Sequence, residues 1–300
     1  FYGSIIISNY NKIDNKKISS TIKIISPKIK IDRFYDNEKP YEIINELIKL
    51  SNPNSEKSTI FVFPEGILTG VYMNDLKNYK ELFSENYSLN HQIILGINST
   101  ENNKIYNSLV VMNKDTNILA KYNKNKLVPF GEFLPLENLF SKIGIKKIIS
   151  GYQSYSEDDL RKVLNINGIK FLPLICYEII YSGKLNKNKE NFDFIINISE
   201  DGWFGNSIGP HQHFSHSIFR AIEEGKNLVR SANNGITAHV DPTGRIVNSL
   251  KSTQRGFIEL NNFKSIKKTT FSSYGNKLFF YFIIFYISLI FFLKKKSKGS

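Results

Sequence analysis

The chain has 300 residues, 41% of them hydrophobic, which suits one large domain or two small ones with a sizeable core. Its net charge is +13, but the excess is Lys dispersed among Asn and Ile, as in Asn11-Lys12 and Asn186-Lys187-Asn188-Lys189; no nucleic-acid-binding motif accompanies it, so nucleic acid is not an expected partner. A single cysteine excludes an intramolecular disulfide framework.

The chain opens at Phe1 with neither a charged n-region nor a cleavage site, which reads as an N-terminal truncation. Ile5-Ile6-Ile7 reads as a short strand or the tail of a preceding segment, and Thr21–Ile25 as the first core strand. Pro40–Leu50 has helical periodicity at Ile43, Ile44, Leu47 and Ile48, ended by Ser51-Asn52-Pro53. Thr59–Phe63 is a buried strand closed by Pro64-Glu65-Gly66, and a helix is expected over Asn74–Ser84. Gln92–Ile97 and Ser108–Met112 read as strands; the turn Asn113-Lys114-Asp115-Thr116 returns Ile118–Tyr122 against the second of them as a hairpin.

Lys124–Pro135 is a loop carrying Gly and Pro, Leu136–Phe140 reads as helix, and Ser150–Asp159 as loop. Phe171–Ile175 and Phe192–Ile198 are apolar runs of strand length. Ser199–Pro210 is a glycine-rich loop with the only Trp, followed by a helix over His211–Glu224 with Phe214, Ile218, Ala221 and Ile222 on one face. Asn227–Ala232, Ile236–Val240 and Phe257–Leu260 read as strands, with a turn at Asp241-Pro242-Thr243-Gly244. Strands alternating with helices, plus hairpins, make the expected class α/β with a mixed sheet. Leu278–Leu293 carries no charge and is flanked by Lys277 and Lys294, so it reads as a membrane span; the competing reading is a buried helix of a soluble domain. Lys294-Lys295-Lys296 predicts a cytoplasmic C-terminus.

Three apolar strands end in chemically useful residues. Cys176 follows Phe171–Ile175, and a lone Cys is either inert core or a working thiol. A thiol that attacks a carbonyl needs a base and a cation to steady the anion formed. Glu65 is placed to be the base and Lys124 the cation; read singly, they are a surface turn residue and one solvated lysine among many. His213 and His216 have i, i+3 spacing, but no carboxylate or Cys completes a metal set nearby, so no metal is expected.

The order Glu, Lys, Cys is the pattern of the carbon–nitrogen hydrolase (nitrilase) superfamily, which this chain resembles. Within it, the motifs are similar to those of bacterial apolipoprotein N-acyltransferases. They are Phe63-Pro64-Glu65, Tyr122-x-Lys124-x-x-Leu127-Val128-Pro129-Phe130-Gly131-Glu132, Cys176-Tyr177-Glu178, Asp201-Gly202-Trp203-Phe204-Gly205, Gly209-Pro210-x-Gln212-His213, Arg220-Ala221-x-Glu223, Arg230 to Thr237, and Asp241-Pro242-x-Gly244. Glu200 stands where that family usually has Asn, and Lys126 where it usually has His or Arg; both departures are expected to touch substrate-side detail. The family's multi-pass membrane region, which precedes this domain, has no counterpart in the chain.

The resemblance implies a nitrilase-like αββα sandwich with mixed sheets, followed by a C-terminal transmembrane helix. It divides the chain into a remnant of a membrane-proximal segment (1–20), a catalytic domain (21–262), a linker (263–277), a span (278–293) and a cytoplasmic basic tail (294–300). It implies no cofactor. Glu65 would take the thiol proton, Cys176 attack a phospholipid acyl ester, and Lys124 stabilise the oxyanion; the thioester would then pass the acyl chain to the α-amine of a diacylglyceryl-Cys at an apolipoprotein N-terminus. Glu132 and Glu178 would orient Lys124 and shape the site, and Tyr177 and Trp203 would bind substrate, Trp203 on a loop over the acyl pocket or else in the core. The resemblance further implies an inner-membrane enzyme with its catalytic domain facing the periplasm. An alternative is an amidase or nitrilase using the same three residues on a small amide or nitrile, and a third reading is an anchored scaffold with a relic triad.

Overall fold

The computed structural model describes residues 14–35, 39–134, 154–183, 185–186 and 190–298; the expected Ile5–Ile7 strand and Leu136–Phe140 helix lie outside them. Its strands are β1 (Asp14–Ser26), β2 (Thr59–Val62), β3 (His91–Glu101), β4 (Lys104–Met112), β5 (Ile118–Asn123), β6 (Leu164–Ile166), β7 (Ile169–Ile175), β8 (Phe194–Glu200), β9 (Asn227–Asn233), β10 (Thr237–Val240), β11 (Ile246–Leu250) and β12 (Gly256–Ser265). They form two six-stranded sheets, ordered β12-β1-β2-β3-β4-β5 and β11-β10-β9-β8-β7-β6. Both sheets are mixed. β1, β2 and β3 run parallel in one and β7, β8 and β9 in the other, with antiparallel strands outside them.

The parallel strands are covered on both faces, which is why β2 and Phe171–Ile175 of β7 read as near-continuous apolar runs. On β2, Ile60 and Val62 pack between the sheets with Ile22, Ile24, Phe194, Ile196 and Ile198. The alternate residues Phe61 and Phe63 pack outward with Ile43, Ile44, Leu47 and Ile48 of α1 (Pro40–Ser51) and with Leu82 and Phe83 of α2 (Lys80–Asn86). On the other sheet, Leu172, Leu174 and Ile195 face outward onto Phe214 and Ala221 of α3 (Gly209–Glu224). The side chains therefore sort into four layers, helix on sheet on sheet on helix.

Local chemistry sets the helix ends. α1 has Pro40 in its first turn and ends at Asn52 in the left-handed region, φ 44°. α3 starts at Gly209 rather than at the expected His211, with Pro210 in its first turn. It ends at Gly225, φ 62°, where a Cβ would stand 2.4 Å from the Ile266 carbonyl oxygen. The helix expected over Asn74–Ser84 is a 3-10 turn, Met73–Tyr79, that runs into α2; Asp75 accepts from the Tyr72 amide at 2.9 Å at its start.

Two strands went unread in the sequence. β6 has three residues, and Asn167-Gly168, with φ 50° and 83°, turns it back onto β7; an Asn-Gly pair between apolar residues was its signal. β11 is an edge strand with no buried residue, so no alternation marks it. β1 begins at Asp14, ahead of the expected Thr21, because its polar first residues pair with the end of β12.

After β12 comes the short α4 (Thr270–Tyr274), whose Ser272 hydroxyl donates to Glu224 of α3 at 2.9 Å. α5 (Lys277–Lys298) follows. Its stretch Lys277–Lys295 is long and apolar enough to cross a membrane, and none of it is buried against the rest of the protein. That is the opposite of a buried core helix.

Candidate active site

Glu65, Lys124 and Cys176 come from three different strand ends and meet at one end of the sandwich. Glu65 lies in the turn after β2, which follows Phe63-Pro64. The Phe63 amide donates to Ile94 O at 2.8 Å and the Gly96 amide to Pro64 O at 3.3 Å, so this segment is laid directly onto β3. The approach is close enough that a Cβ at Gly96 would stand 2.6 Å from the Glu65 Cα. Gly96→Ala is therefore expected to cost about 1–3 kcal/mol of stability by overpacking and to slow alkylation of Cys176, measured by thermal denaturation and by mass spectrometry.

Lys124 directly follows β5, and its amide donates to Asn107 O at 2.8 Å. Its side chain is 1% exposed, not a solvated lysine. Nζ donates to Glu132 Oε1 at 2.9 Å and to Glu65 Oε1 at 3.4 Å. Burial works against its charge, but Glu132, Glu65 and Cys176 outweigh burial and hold the ammonium well above the ordinary lysine range. Glu65 is buried, and its other oxygen accepts from the Glu200 amide at 3.0 Å. Glu132 Oε2 accepts from the Val128 amide at 2.8 Å, which fixes the Lys loop around its carboxylate.

Asn107 was not picked out from the sequence. Its Nδ2 donates to Glu65 Oε1 at 2.7 Å and to Glu132 Oε1 at 2.9 Å, so it joins the two carboxylates that flank Lys124. It sits on β4 next to the likewise buried Ser108, just ahead of the apolar stretch Leu109–Met112, so no local pattern singled it out.

Cys176 is half-buried at the end of β7, with φ +48°, a conformation that side chains other than Gly rarely adopt. Burial and the Glu65 charge push its thiol well above the ordinary range; Lys124 pulls it down, Asp201 pushes up, and a Ser199 hydrogen bond lowers it. A thiol flanked by Glu65 and Lys124 is an arrangement in which a carboxylate can accept the thiol proton while an ammonium steadies the anion formed.

Glu178 is fully buried and makes no contact with Lys124 Nζ. Its Oε1 accepts from the Tyr122 hydroxyl at 2.6 Å, the Asn125 amide at 2.9 Å, the Lys126 amide at 3.2 Å and Arg161 Nη2 at 3.0 Å. Its Oε2 accepts from the Ile175 amide at 2.8 Å. One carboxylate thus ties the backbone of the Lys loop to the residue before Cys176. Arg161, which neutralises it, also escaped sequence reading. Lys126 contributes its amide here, while its side chain is exposed and pairs with Glu157 at 3.2 Å.

A cleft opens beside Glu65, Asn107 and Glu132, and Phe34, Tyr155, Glu200 and Trp203 also line it. Trp203, 39% exposed, is at the rim rather than in the core, with its ring 4.8 Å from that of Phe34. Tyr177 stacks edge-on against Tyr181, with ring centroids 5.8 Å apart. Glu200 lies closer to the centre than expected: besides its amide contact to Glu65, its buried carboxylate pairs with Arg33 and accepts from Asn233 at 2.7 Å. Burial pushes that carboxyl up, against Arg33 and Asn233.

The sequence model of the carbon–nitrogen hydrolase family matches residues 25–260. Among relatives in sequence, the apolipoprotein N-acyltransferase of Wigglesworthia glossinidia brevipalpis is 34% identical over 288 residues, 94% of this chain and 57% of that protein. The apolipoprotein N-acyltransferase of Rickettsia prowazekii is 34% identical over 274 residues, 89% of this chain and 54% of that protein. The chain thus spans about half the length of these relatives. Among solved structures, a cysteine-to-alanine mutant of the Nesterenkonia AN1 amidase from the nitrilase superfamily superposes with a TM-score of 0.57 at 11% identity, covering 86% of this chain and 94% of that one. A CN-hydrolase superfamily protein from Xanthomonas campestris gives 0.55 at 12%, covering 87% and 94%. These two show the shared sandwich alone. With the family match running from β1 to β12 over that sandwich, the chain belongs to the carbon–nitrogen hydrolase family.

Proposed function

We propose that this chain is the catalytic part of an apolipoprotein N-acyltransferase with Glu65, Lys124 and Cys176 as its triad. The catalytic unit is taken as 14–265, from β1 to β12, rather than the 21–262 expected from the sequence, because Asp14 pairs with Ser265 and Phe263 lies in the core; 278–293 is the span and 294–300 a cytoplasmic tail. Glu65 takes the proton from Cys176 as Sγ attacks the ester carbonyl of a phospholipid acyl chain. Lys124 stabilises the tetrahedral oxyanion, and the lysophospholipid alkoxide leaves with the proton held by Glu65. The α-amine of a diacylglyceryl-Cys then attacks the thioester, Glu65 takes the amine proton, and the C–S bond breaks to restore the thiol. Glu132 and Asn107 hold Lys124 and Glu65 in register, Glu178 fixes the two loops, and Trp203 and Tyr177 face the acyl chain.

The observation that carries acyl transfer rather than hydrolysis of a small amide is α5. Its apolar stretch is bare of protein contact, and it is joined to the domain that holds the buried carboxylate–lysine cluster. An amidase would use the same cluster with water in place of the amine, and has no use for a lipid anchor. The names of the relatives point the same way. The test is intact-protein mass spectrometry of the full chain after incubation with phospholipid vesicles. An acyl adduct on Cys176, discharged by a diacylglyceryl-peptide amine, is the expected result; a chain that takes no acyl group from phospholipid but cleaves small amides sinks the proposal.

Orientation follows from charge. Moving Lys294-Lys295-Lys296 across the membrane is unfavourable, whereas a large domain translocates largely regardless of its lysines. The domain is therefore expected to face the periplasm. Protease added to spheroplasts should digest it, and a reporter fused after Ser300 should be active in the cytoplasm. A domain shielded from external protease would contradict this orientation.

A further inference from the structure

We propose that His213 is a positioning residue for the nucleophile: it holds the carbonyl of Cys176, and with it the left-handed backbone from which the thiol projects. This inference rests on Cys176 being the nucleophile proposed above.

His213 Nε2 lies 3.2 Å from Cys176 O. A carbonyl oxygen only accepts, so Nε2 carries the proton and donates it. The other ring nitrogen, Nδ1, lies 2.9 Å from Asp201 Oδ1 and 3.1 Å from Arg230 Nη2. Arg230 Nη2 in turn donates to both Asp201 oxygens, at 3.0 and 2.8 Å, and Ser199 Oγ donates to Asp201 Oδ1 at 2.7 Å. Arg230 Nη1 donates to Asn197. The ring of His213 is thus gripped by Asp201, directly after β8, and by Arg230, in the middle of β9, while it reaches from α3 to the end of β7. All of these side chains are buried.

Two features make this more than packing. A positive φ at a residue with a Cβ is unfavourable and persists only where the surroundings over-determine it. At Cys176, φ is +48°, and the peptides on either side are held by side chains: the Ile175 amide by Glu178 at 2.8 Å and the Cys176 carbonyl by His213. In addition, a buried ion pair such as Arg230–Asp201 adds little stability over apolar residues of similar volume. Here it fixes the one histidine ring that touches the nucleophile's backbone. If the carbonyl swung free, Cys176 could relax, and Sγ would leave its place beside Glu65 and Lys124.

Two substitutions in the full chain separate this role from simple packing. In His213→Asn the amide replaces Nδ1 and can still meet Asp201, but it is too short to reach Cys176 O. In His213→Gln the amide nitrogen falls near the position of Nε2 and can still donate to it. The readout is the rate constant for iodoacetamide alkylation of Cys176, followed by intact mass, with thermal denaturation alongside. His213→Asn should slow alkylation roughly 10–100-fold, the scale of an ångström-sized misplacement. His213→Gln should recover most of the rate while melting no higher than His213→Asn. Alkylation of His213→Asn at or above the wild-type rate overturns the proposal, as does a folded His213→Gln as slow as His213→Asn. If His213→Asn does not fold, His213→Gln decides alone: folded and near the wild-type rate upholds it, folded and slow overturns it. A wild-type chain that alkylates at Cys176 yet takes no acyl group from phospholipid would count against the acyltransferase reading and leave this inference to the alkylation rates.

Discussion

Cys176→Ser is expected to abolish both the acyl adduct and the transferred product. The thiol is already pushed up by burial and by the Glu65 charge, and Lys124 only partly offsets them. A serine hydroxyl starts many units higher, so a carboxylate base leaves almost none of it ionised, and the nucleophile is lost although the shape is kept. Cys176→Ala is the control for folding. It adopts the same φ as cysteine, removes one half-buried atom and leaves Glu65, Lys124 and Glu132 paired. Intact mass after incubation with phospholipid, with a melting curve for each variant, measures both. Full turnover by Cys176→Ser would remove the cysteine from the mechanism.

Lys124→Met is expected to lower the rate of adduct formation by ~10²–10³, the usual cost of removing one preorganised oxyanion donor. It should also lower stability. Were Lys124 a solvated loop residue, the change would be nearly free. Instead Nζ is buried between Glu132 and Glu65, and removing one partner from a buried charge cluster typically costs about 3–5 kcal/mol. Rates are therefore to be compared well below the melting temperature of the variant. Lys126→Met is the matched control two residues on. Its side chain is exposed and pairs with Glu157, while the amide it gives to Glu178 survives the substitution. It should change rate and stability little, since exposed pairs contribute about 0–1 kcal/mol. Greater sensitivity at Lys126 than at Lys124 would mean that the wrong lysine has been placed at the oxyanion.

The local layout was written in the sequence because it is encoded over a few residues at a time. The runs at Phe61 and Phe171 are apolar throughout because parallel strands buried on both faces have no polar side to show. Polar residues directly after such runs mark strand ends, which is how Glu65, Lys124 and Cys176 stood out, and the length of Leu278–Leu293 sets its apolar helix apart. No local pattern says which buried charge meets which. Asn107 joins Glu65 and Glu132 from the middle of a strand, Arg161 neutralises Glu178, Arg33 pairs with Glu200, and His213 reaches the Cys176 carbonyl from another layer. His213 read as one residue of the Gly209–His213 motif and half of an i, i+3 pair, and Glu200 as a substrate-side change, because their partners lie far off along the chain. Those partners were chosen only when two sheets stacked and the strand ends closed over one another. Once water was excluded there, each buried polar group had to find a neighbour from another element.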